Sequence, residues 1–201
     1  MQLQLTELRI AGFGGQGVIL SAIILGKAAS IYQDACATMT QNFGPEARGG
    51  ACSAQVILSR NPILYPYVTQ PDVLVVMSQE AYHKFTPELK SGGMLIIEQD
   101  LVRINGIHTG TRVFGVPATR LAEELGRKVV LNIVMVGFFG AVTHLLEYDA
   151  LRKAVAESVP PHLQKLNLQA FDKGFEYGSL TLDKLAESGE SEHLITTLET
   201  V

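Results

Sequence analysis

Short apolar runs alternate with longer amphipathic or apolar segments along most of the chain, a pattern that predicts strands and helices in turn. Strands are predicted over residues 8–12, 34–40, 51–59, 72–77, 94–98 and 111–116. Helices are predicted over residues 16–31, 79–85, 118–125, 131–146, 149–158 and 162–177. The alternation predicts an α/β fold, a three-layer Rossmann-like domain with a largely parallel sheet.

The segment at residues 131–146 is apolar on nearly every side and contains Gly137 and Gly140. It is too short for a membrane span and is interrupted by polar residues such as Asn132 and Thr143. Each glycine costs a helix roughly 1 kcal/mol relative to alanine, and close helix–helix packing would explain both. We predict a core helix, packed within the chain or shared with a partner subunit.

The 201 residues suit one domain, and 47% of them are apolar while only 18% are charged. Average soluble domains contain about 25% charged residues, so this shortage predicts that part of the surface contacts protein. We predict a single α/β domain over residues 1–180, followed by an acidic tail at residues 181–201.

Charge and cysteine content exclude several classes of function. The net charge is −4 with scattered basic residues, so no nucleic-acid partner is expected. Met1 is followed by mixed polar sequence rather than a charged and then apolar leader, so we expect a cytoplasmic chain without membrane contact. The chain has 2 cysteines, Cys36 and Cys52, and an iron–sulfur cluster needs about four. No metal centre of its own is expected.

The glycine turn at residues 12–17 lies between the first predicted strand and the first predicted helix, and it matches G-x-G-x-x-G. Its residues are Gly12, Phe13, Gly14, Gly15, Gln16 and Gly17. Glycine lets the backbone come close to another molecule, and a helix beginning at Gln16 would direct unpaired N–H groups at that molecule.

A dinucleotide site also needs an acid at the end of the second strand to bind the ribose hydroxyls. That strand ends in Thr40-Gln41-Asn42, and the nearest acid, Asp34, lies at its start. A nicotinamide or flavin site is therefore disfavoured. A tight turn without a ligand, an anion site and a contact with another chain remain open.

The second loop, residues 41–50, lies between the second and third predicted strands and combines glycine, proline, an acid and a base. Its candidate contact residues are Gly44, Pro45, Glu46, Arg48, Gly49 and Gly50. Arg48 offers a planar five-donor fork to a phosphate or carboxylate, with Glu46 holding it in place. Alternatively, Glu46 and Arg48 form only a surface ion pair worth about 0–1 kcal/mol.

The glycine turn, Phe-Gly-Pro-Glu-Ala-Arg-Gly-Gly at residues 43–50, and Pro71-Asp72 opening an apolar strand together resemble one family. They are similar to the gamma subunit of 2-oxoacid:ferredoxin oxidoreductases, and most similar to its 2-oxoglutarate branch. Asn132, and Asn167 followed by Ala170-Phe171 and Gly174, also fit. The resemblance covers about residues 8–178.

The resemblance implies a fold like domain III of pyruvate-ferredoxin oxidoreductase and a role inside a larger enzyme. In that family, alpha and beta subunits hold thiamine diphosphate and Mg²⁺, and a delta subunit or domain carries an iron–sulfur cluster. The complex forms acyl-CoA and CO₂ and reduces ferredoxin. The gamma-type chain packs on the thiamine-binding subunits and helps form the coenzyme A site. It binds no cofactor alone and supplies no catalytic residue.

The resemblance therefore implies that the glycine turn and the six candidate residues of the second loop contact coenzyme A or a partner subunit. Two alternatives stay open. One is a stand-alone Rossmann reductase that binds a nicotinamide or flavin cofactor, and the other is a structural scaffold whose glycine loops touch only protein.

Overall fold

The computed structural model describes residues 5–42 and 51–188, and this part of the chain contains one six-stranded sheet and six α-helices. The strands are β1 (Thr6–Phe13), β2 (Cys36–Asn42), β3 (Ala51–Ser59), β4 (Val73–Val76), β5 (Met94–Glu98) and β6 (Arg112–Val116). The helices are α1 (Val18–Tyr32), α2 (Gln79–Phe85), α3 (Ala118–Glu124), α4 (Leu131–Thr143), α5 (Tyr148–Ser158) and α6 (Gln164–Ser188).

Each of these elements overlaps a predicted one, and the differences are at the ends. Helix α1 begins at Val18 rather than at Gln16, because the residues before it form a separate turn. Helix α6 continues to Ser188, past residue 181, where the tail was predicted to begin.

The sheet has the strand order β2-β3-β1-β4-β5-β6. Strands β1, β4, β5 and β6 pair in parallel, while β3 is antiparallel to both of its neighbours, β1 and β2. All strands except β3 therefore point the same way, which confirms the predicted, largely parallel sheet. An antiparallel strand needs no crossover helix, so β3 follows β2 without one and lies between β2 and β1.

Helices cover both faces of the sheet, and the predicted three-layer arrangement is confirmed. Five helices, α1 and α3 to α6, pack with the sheet in the larger apolar core. Helix α2 covers the opposite face, where Tyr82 and Phe85 pack with Leu74, Leu95 and Ile97. Strand β4 is buried along its whole length because it has a helical layer on each side.

Helix α4 packs so closely on α6 that glycine is required on both helices. An ideal Cβ on Gly137 would lie 2.1 Å from the carbonyl oxygen of Phe171, and one on Gly174 would lie 2.0 Å from that of Val134. The two helices therefore meet backbone to backbone. Of the two glycines predicted to allow close packing in α4, Gly137 is explained by α6, and Gly140 by α5, where Cδ1 of Leu151 would lie 2.5 Å from an added Cβ.

None of the helices in the described ranges combines the length and the apolar character that crossing a bilayer requires.

Candidate functional site

The glycine turn protrudes from the edge of the sheet at which the parallel strands end, where ligands of α/β proteins usually bind. The backbone N–H of Gln16 donates to the carbonyl oxygen of Phe13 at 3.1 Å and closes a β-turn. Gly15, the third residue of that turn, has φ of 97°, as a type II turn requires. Gly14 and Gly15 are exposed, and Phe13 beside them is 38% exposed.

The side chain of Gln16 fixes this turn to the centre of the sheet. Its Oε1 accepts from the N–H of Phe13 at 2.6 Å, and its Nε2 donates to the carbonyl oxygen of Met77 at 2.9 Å. Met77 directly follows β4, so the Gln16 amide ties the ends of β1 and β4 together. Both polar atoms of this side chain are used inside the chain.

Two of the three glycines that match G-x-G-x-x-G are required for packing within the chain. A Cβ on Gly12 would lie 2.6 Å from Oε1 of Gln16. Gly17 has φ of 72°, and a Cβ there would lie 2.4 Å from Nδ2 of Asn132. The same Asn132 amide, in the first turn of α4, donates to the Gly17 carbonyl oxygen at 3.4 Å. The spacing that imitates a nucleotide fingerprint thus has a structural origin.

Backbone donors at the start of α1 have no acceptor among the residues that the structure describes. Gly17 is its N-cap in the left-handed conformation and supplies no side-chain cap. Within the described residues, the N–H groups of Gly14, Gly15 and residues 18–20 have no acceptor. Such groups at a helix N-terminus favour an anion or a carbonyl oxygen.

The described residues that flank the second loop lie beside the glycine turn. Gln41 and Asn42 belong to β2, and Ala51 begins β3 opposite Phe13 of β1. The N–H of Ala51 donates to a carboxylate oxygen of Glu80, on α2, at 3.2 Å. The predicted contact residues Gly44, Pro45, Glu46, Arg48, Gly49 and Gly50 lie outside the described residues.

The strand order argues against a dinucleotide site. In a dinucleotide-binding fold the second strand lies next to the first and ends in an acid. Here β3 separates β2 from β1, and Asp34 precedes β2 at the opposite edge of the sheet.

Two other residues that the resemblance singled out serve the fold. Asp72 accepts hydrogen bonds from the N–H of Glu7 at 2.7 Å and from Lys90 Nζ at 2.8 Å, which fixes the start of β4. The Asn167 side chain donates to the carbonyl oxygen of Leu163 at 2.9 Å, within the first turns of α6.

A buried carboxyl group at the same edge of the sheet was not singled out from the sequence. Glu98 ends β5 with no exposed surface, and one of its carboxyl oxygens accepts from the N–H of Thr119 at 3.1 Å. Burial raises the pKa of this carboxyl, and the nearby Asp100 charge raises it further. The only signal in the sequence was an acid at the end of an apolar run.

The described residues give little support for a nucleophilic cysteine or a metal site. Burial raises the pKa of the Cys52 thiol, which disfavours the nucleophilic thiolate. No group of three or more histidine, cysteine, aspartate or glutamate side chains there is arranged to hold a metal ion.

A surface pocket of about 250 Å³ lies at the opposite edge of the sheet, away from the glycine turn. It is lined by Arg60, which follows β3, and by His144 and Glu147 between α4 and α5. Another lining residue, Gln33, accepts the N–H of Glu147 at 2.9 Å.

The family model for pyruvate ferredoxin/flavodoxin oxidoreductase matches residues 7–177. The chain belongs to this family. The resemblance drawn from the glycine turn, the second loop and Pro71-Asp72 is confirmed. The match includes both loops and reaches into α6, so the shared domain is nearly the whole described structure.

Relatives in this family cover most of the chain. The chain is 47% identical over 176 residues to 2-oxoglutarate synthase subunit KorC of Methanothermobacter marburgensis, covering 85% of this chain and 95% of that one. The gamma subunit of a keto/oxoacid ferredoxin oxidoreductase from Geobacter sulfurreducens matches with a TM-score of 0.78 and 38% identity, covering 88% of this chain and 99% of that one.

A third comparison concerns the fold alone. The 2-oxoglutarate:ferredoxin oxidoreductase of Magnetococcus marinus, solved with 2-oxoglutarate, coenzyme A and succinyl-CoA bound, has a TM-score of 0.78 at 22% identity. The match covers 88% of this chain and 31% of that longer chain, so there the same fold is one part of a larger polypeptide.

Proposed function

We propose that the chain is the gamma subunit of a 2-oxoglutarate:ferredoxin oxidoreductase. The complex would convert a 2-oxoacid and coenzyme A to acyl-CoA and CO₂, with the two electrons passing to ferredoxin. Thiamine diphosphate and Mg²⁺ on the alpha and beta subunits would supply the decarboxylation chemistry, and the iron–sulfur cluster of a delta subunit or domain would carry electrons. Family membership over residues 7–177 and the KorC relative support this proposal.

The observation that carries the site proposal is the outward-facing glycine turn with its unpaired donors. The N–H groups of Gly14, Gly15 and the start of α1 would be satisfied by an anionic group of coenzyme A or by carbonyl oxygens of a partner subunit. Phe13 would pack on the apolar arm of coenzyme A or on a neighbouring subunit.

The second loop would complete the same contact surface. Its flanking residues are next to the glycine turn, since Phe13 and Ala51 are paired in the sheet. Arg48 would place a guanidinium group near a phosphate, and Glu46 would orient it. The chain itself would bind and position coenzyme A or a partner subunit, and we expect it to be inactive when isolated.

Substituting Arg48 in the assembled complex tests the coenzyme A assignment. We expect Arg48→Ala to raise the KM for coenzyme A, because one charge-assisted contact with a phosphate is lost. Arg60→Ala is the matched control, since Arg60 is exposed at the opposite edge of the sheet. Assembly is measured on the same samples by size-exclusion chromatography. Unchanged acyl-CoA formation and an unchanged KM would rule out this role for Arg48.

Native co-purification tests the proposed class. Thiamine-binding subunits and an iron–sulfur partner are expected to elute with the chain, whereas a monomer with bound nucleotide would contradict the proposal. Measuring Tm with and without added NADH or NADPH distinguishes the proposed subunit from a stand-alone reductase. A cofactor that binds the chain and is present at 100 times its Kd would raise the free energy of unfolding by about 2.7 kcal/mol and so raise Tm. Because we expect the chain not to bind these cofactors, we expect no shift in Tm.

A further inference from the structure

Gly14 is a glycine for which the described fold gives no internal reason. Its φ is outside the left-handed region, and a Cβ added to it would meet none of the described residues within 4 Å. It is the second residue of the β-turn, a position that accepts most residues and favours proline. Glycine there also increases the conformational entropy lost on folding. The other three glycines of the turn are each required by φ or by packing.

The surroundings of Gly14 suit contact with another molecule. The N–H groups of Gly14 and Gly15 have no acceptor among the residues described, and both glycines are exposed. The partly exposed ring of Phe13 adjoins them. The turn therefore presents main-chain donors and an apolar ring side by side, with no side chain on Gly14 to keep a second backbone away.

The lack of charge on the glycine turn indicates what kind of molecule contacts Gly14. None of residues 12–17 is charged, and the turn is held by the carbonyl oxygen of Met77 and the neutral amide of Asn132. Proteins usually recruit arginine or lysine to bind phosphate. The arginine proposed to bind a phosphate, Arg48, belongs to the second loop and not to the turn. The neutral donors of the turn, beside an apolar ring, suit the carbonyl oxygens of a polypeptide.

We infer that a main-chain segment of another subunit packs directly against Gly14, and that its carbonyl oxygens accept the N–H groups of Gly14 and Gly15. This inference rests on the proposed function, since it assigns the turn to the subunit interface of that complex. It leaves coenzyme A to other parts of the site. Glycine at position 14 is then required by the complex rather than by the isolated fold.

Gly14→Ala and Gly14→Val test the inference in the full chain, with Gly26→Ala as the matched control. A Cβ on Gly26, within α1, also meets nothing within 4 Å, but Gly26 has no unpaired donors beside it. We expect all three isolated variants to melt no lower than the wild type. Titration of the co-purified partner subunits should show affinity weakened about tenfold or more for Gly14→Val, less for Gly14→Ala, and unchanged for Gly26→Ala.

Each remaining outcome has a defined meaning. Wild-type affinity for both Gly14 variants would overturn the inference, as would a loss of affinity that merely follows a lowered Tm. If assembly is intact and the KM for coenzyme A rises, the turn contacts coenzyme A, and the inference fails while the proposed function stands. If the wild-type chain binds no thiamine-binding subunit at all, the proposed function itself fails.

Discussion

The side-chain amide of Asn132 lies directly against the backbone of Gly17, although 115 residues separate them. Nδ2 of Asn132 donates to the Gly17 carbonyl oxygen at 3.4 Å and occupies the space that a Cβ on Gly17 would need. Asn132 is buried at the start of α4, so this contact holds the glycine turn against the helical layer. The two residues form one structural unit at the edge of the sheet.

We expect Gly17→Ala to lower the free energy of unfolding by about 2–4 kcal/mol. The alanine backbone must keep a positive φ, and its methyl group must displace the Asn132 amide. Each of these two effects costs about 1–3 kcal/mol. Urea denaturation measures the change. The double variant Gly17→Ala/Asn132→Ala should be less destabilised than the sum of its single variants. Simple additivity would show that the two residues are not packed together.

Gln16→Met should loosen the turn while keeping side-chain volume. The N–H of Phe13 and the carbonyl oxygen of Met77 both lose their partner. The Phe13 bond is exposed and that of Met77 is partly buried, so water can replace much of what is lost and the expected cost is about 0.5–1.5 kcal/mol. Hydrogen exchange at Phe13 is expected to accelerate in the isolated chain. If exchange at Phe13 stays as slow as in the wild type, the Gln16 side chain does not hold the turn.

Gly174→Ala should destabilise the chain by about 3 kcal/mol or more, since a Cβ would lie 2.0 Å from the Val134 carbonyl oxygen and the two helices would have to separate. Ser179→Ala, later in the same helix, removes only a bond to the carbonyl oxygen of Phe175. Its expected change is within about 0.5 kcal/mol. Thermal unfolding compares the variants, and equal Tm values would contradict the close α4–α6 packing.

The Glu98 carboxyl predicts a pH dependence of stability. Its folded-state pKa is raised by burial, so the unfolded state ionises first as the pH rises. The wild type should lose stability as the pH rises from the ordinary glutamate range through the raised pKa. Glu98→Gln keeps an oxygen for the Thr119 N–H and should escape that loss. Urea denaturation at pH 4 and pH 8 gives the free energy of unfolding of both proteins. If the wild type and Glu98→Gln differ by the same amount at the two pH values, the prediction is wrong.

Local patterns in the sequence were enough to predict the element types and most of their ranges. The run at 72–77 predicted an inner parallel strand, and β4 is buried on both faces. The glycines of residues 131–146 predicted a closely packed helix, and the structure identifies α6 as the partner of Gly137 and α5 as the nearest neighbour of Gly140. Neither the period of an apolar pattern nor the presence of a glycine predicts which segment it will contact, because contacting segments lie far apart in the sequence.

The roles of individual glycines also required the structure. G-x-G-x-x-G describes Gly12, Gly14 and Gly17 as equivalent, but the structure separates them. Gly12 and Gly17 leave space for Gln16 and Asn132, while a Cβ on Gly14 would contact none of the described residues. Missing side-chain volume has the same appearance in a sequence whether the space is filled by the chain itself or left for another molecule.

The sequence by itself determined the order of strands and helices, the glycine turn between β1 and α1, and the family resemblance, because these depend on residues close together or on recognisable motifs. The tertiary structure decided that β3 lies antiparallel between β1 and β2, that α4 packs on α6, and that Gln16 reaches the end of β4. These arrangements depend on which apolar faces and unpaired polar groups satisfy one another over long separations, which no local pattern specifies.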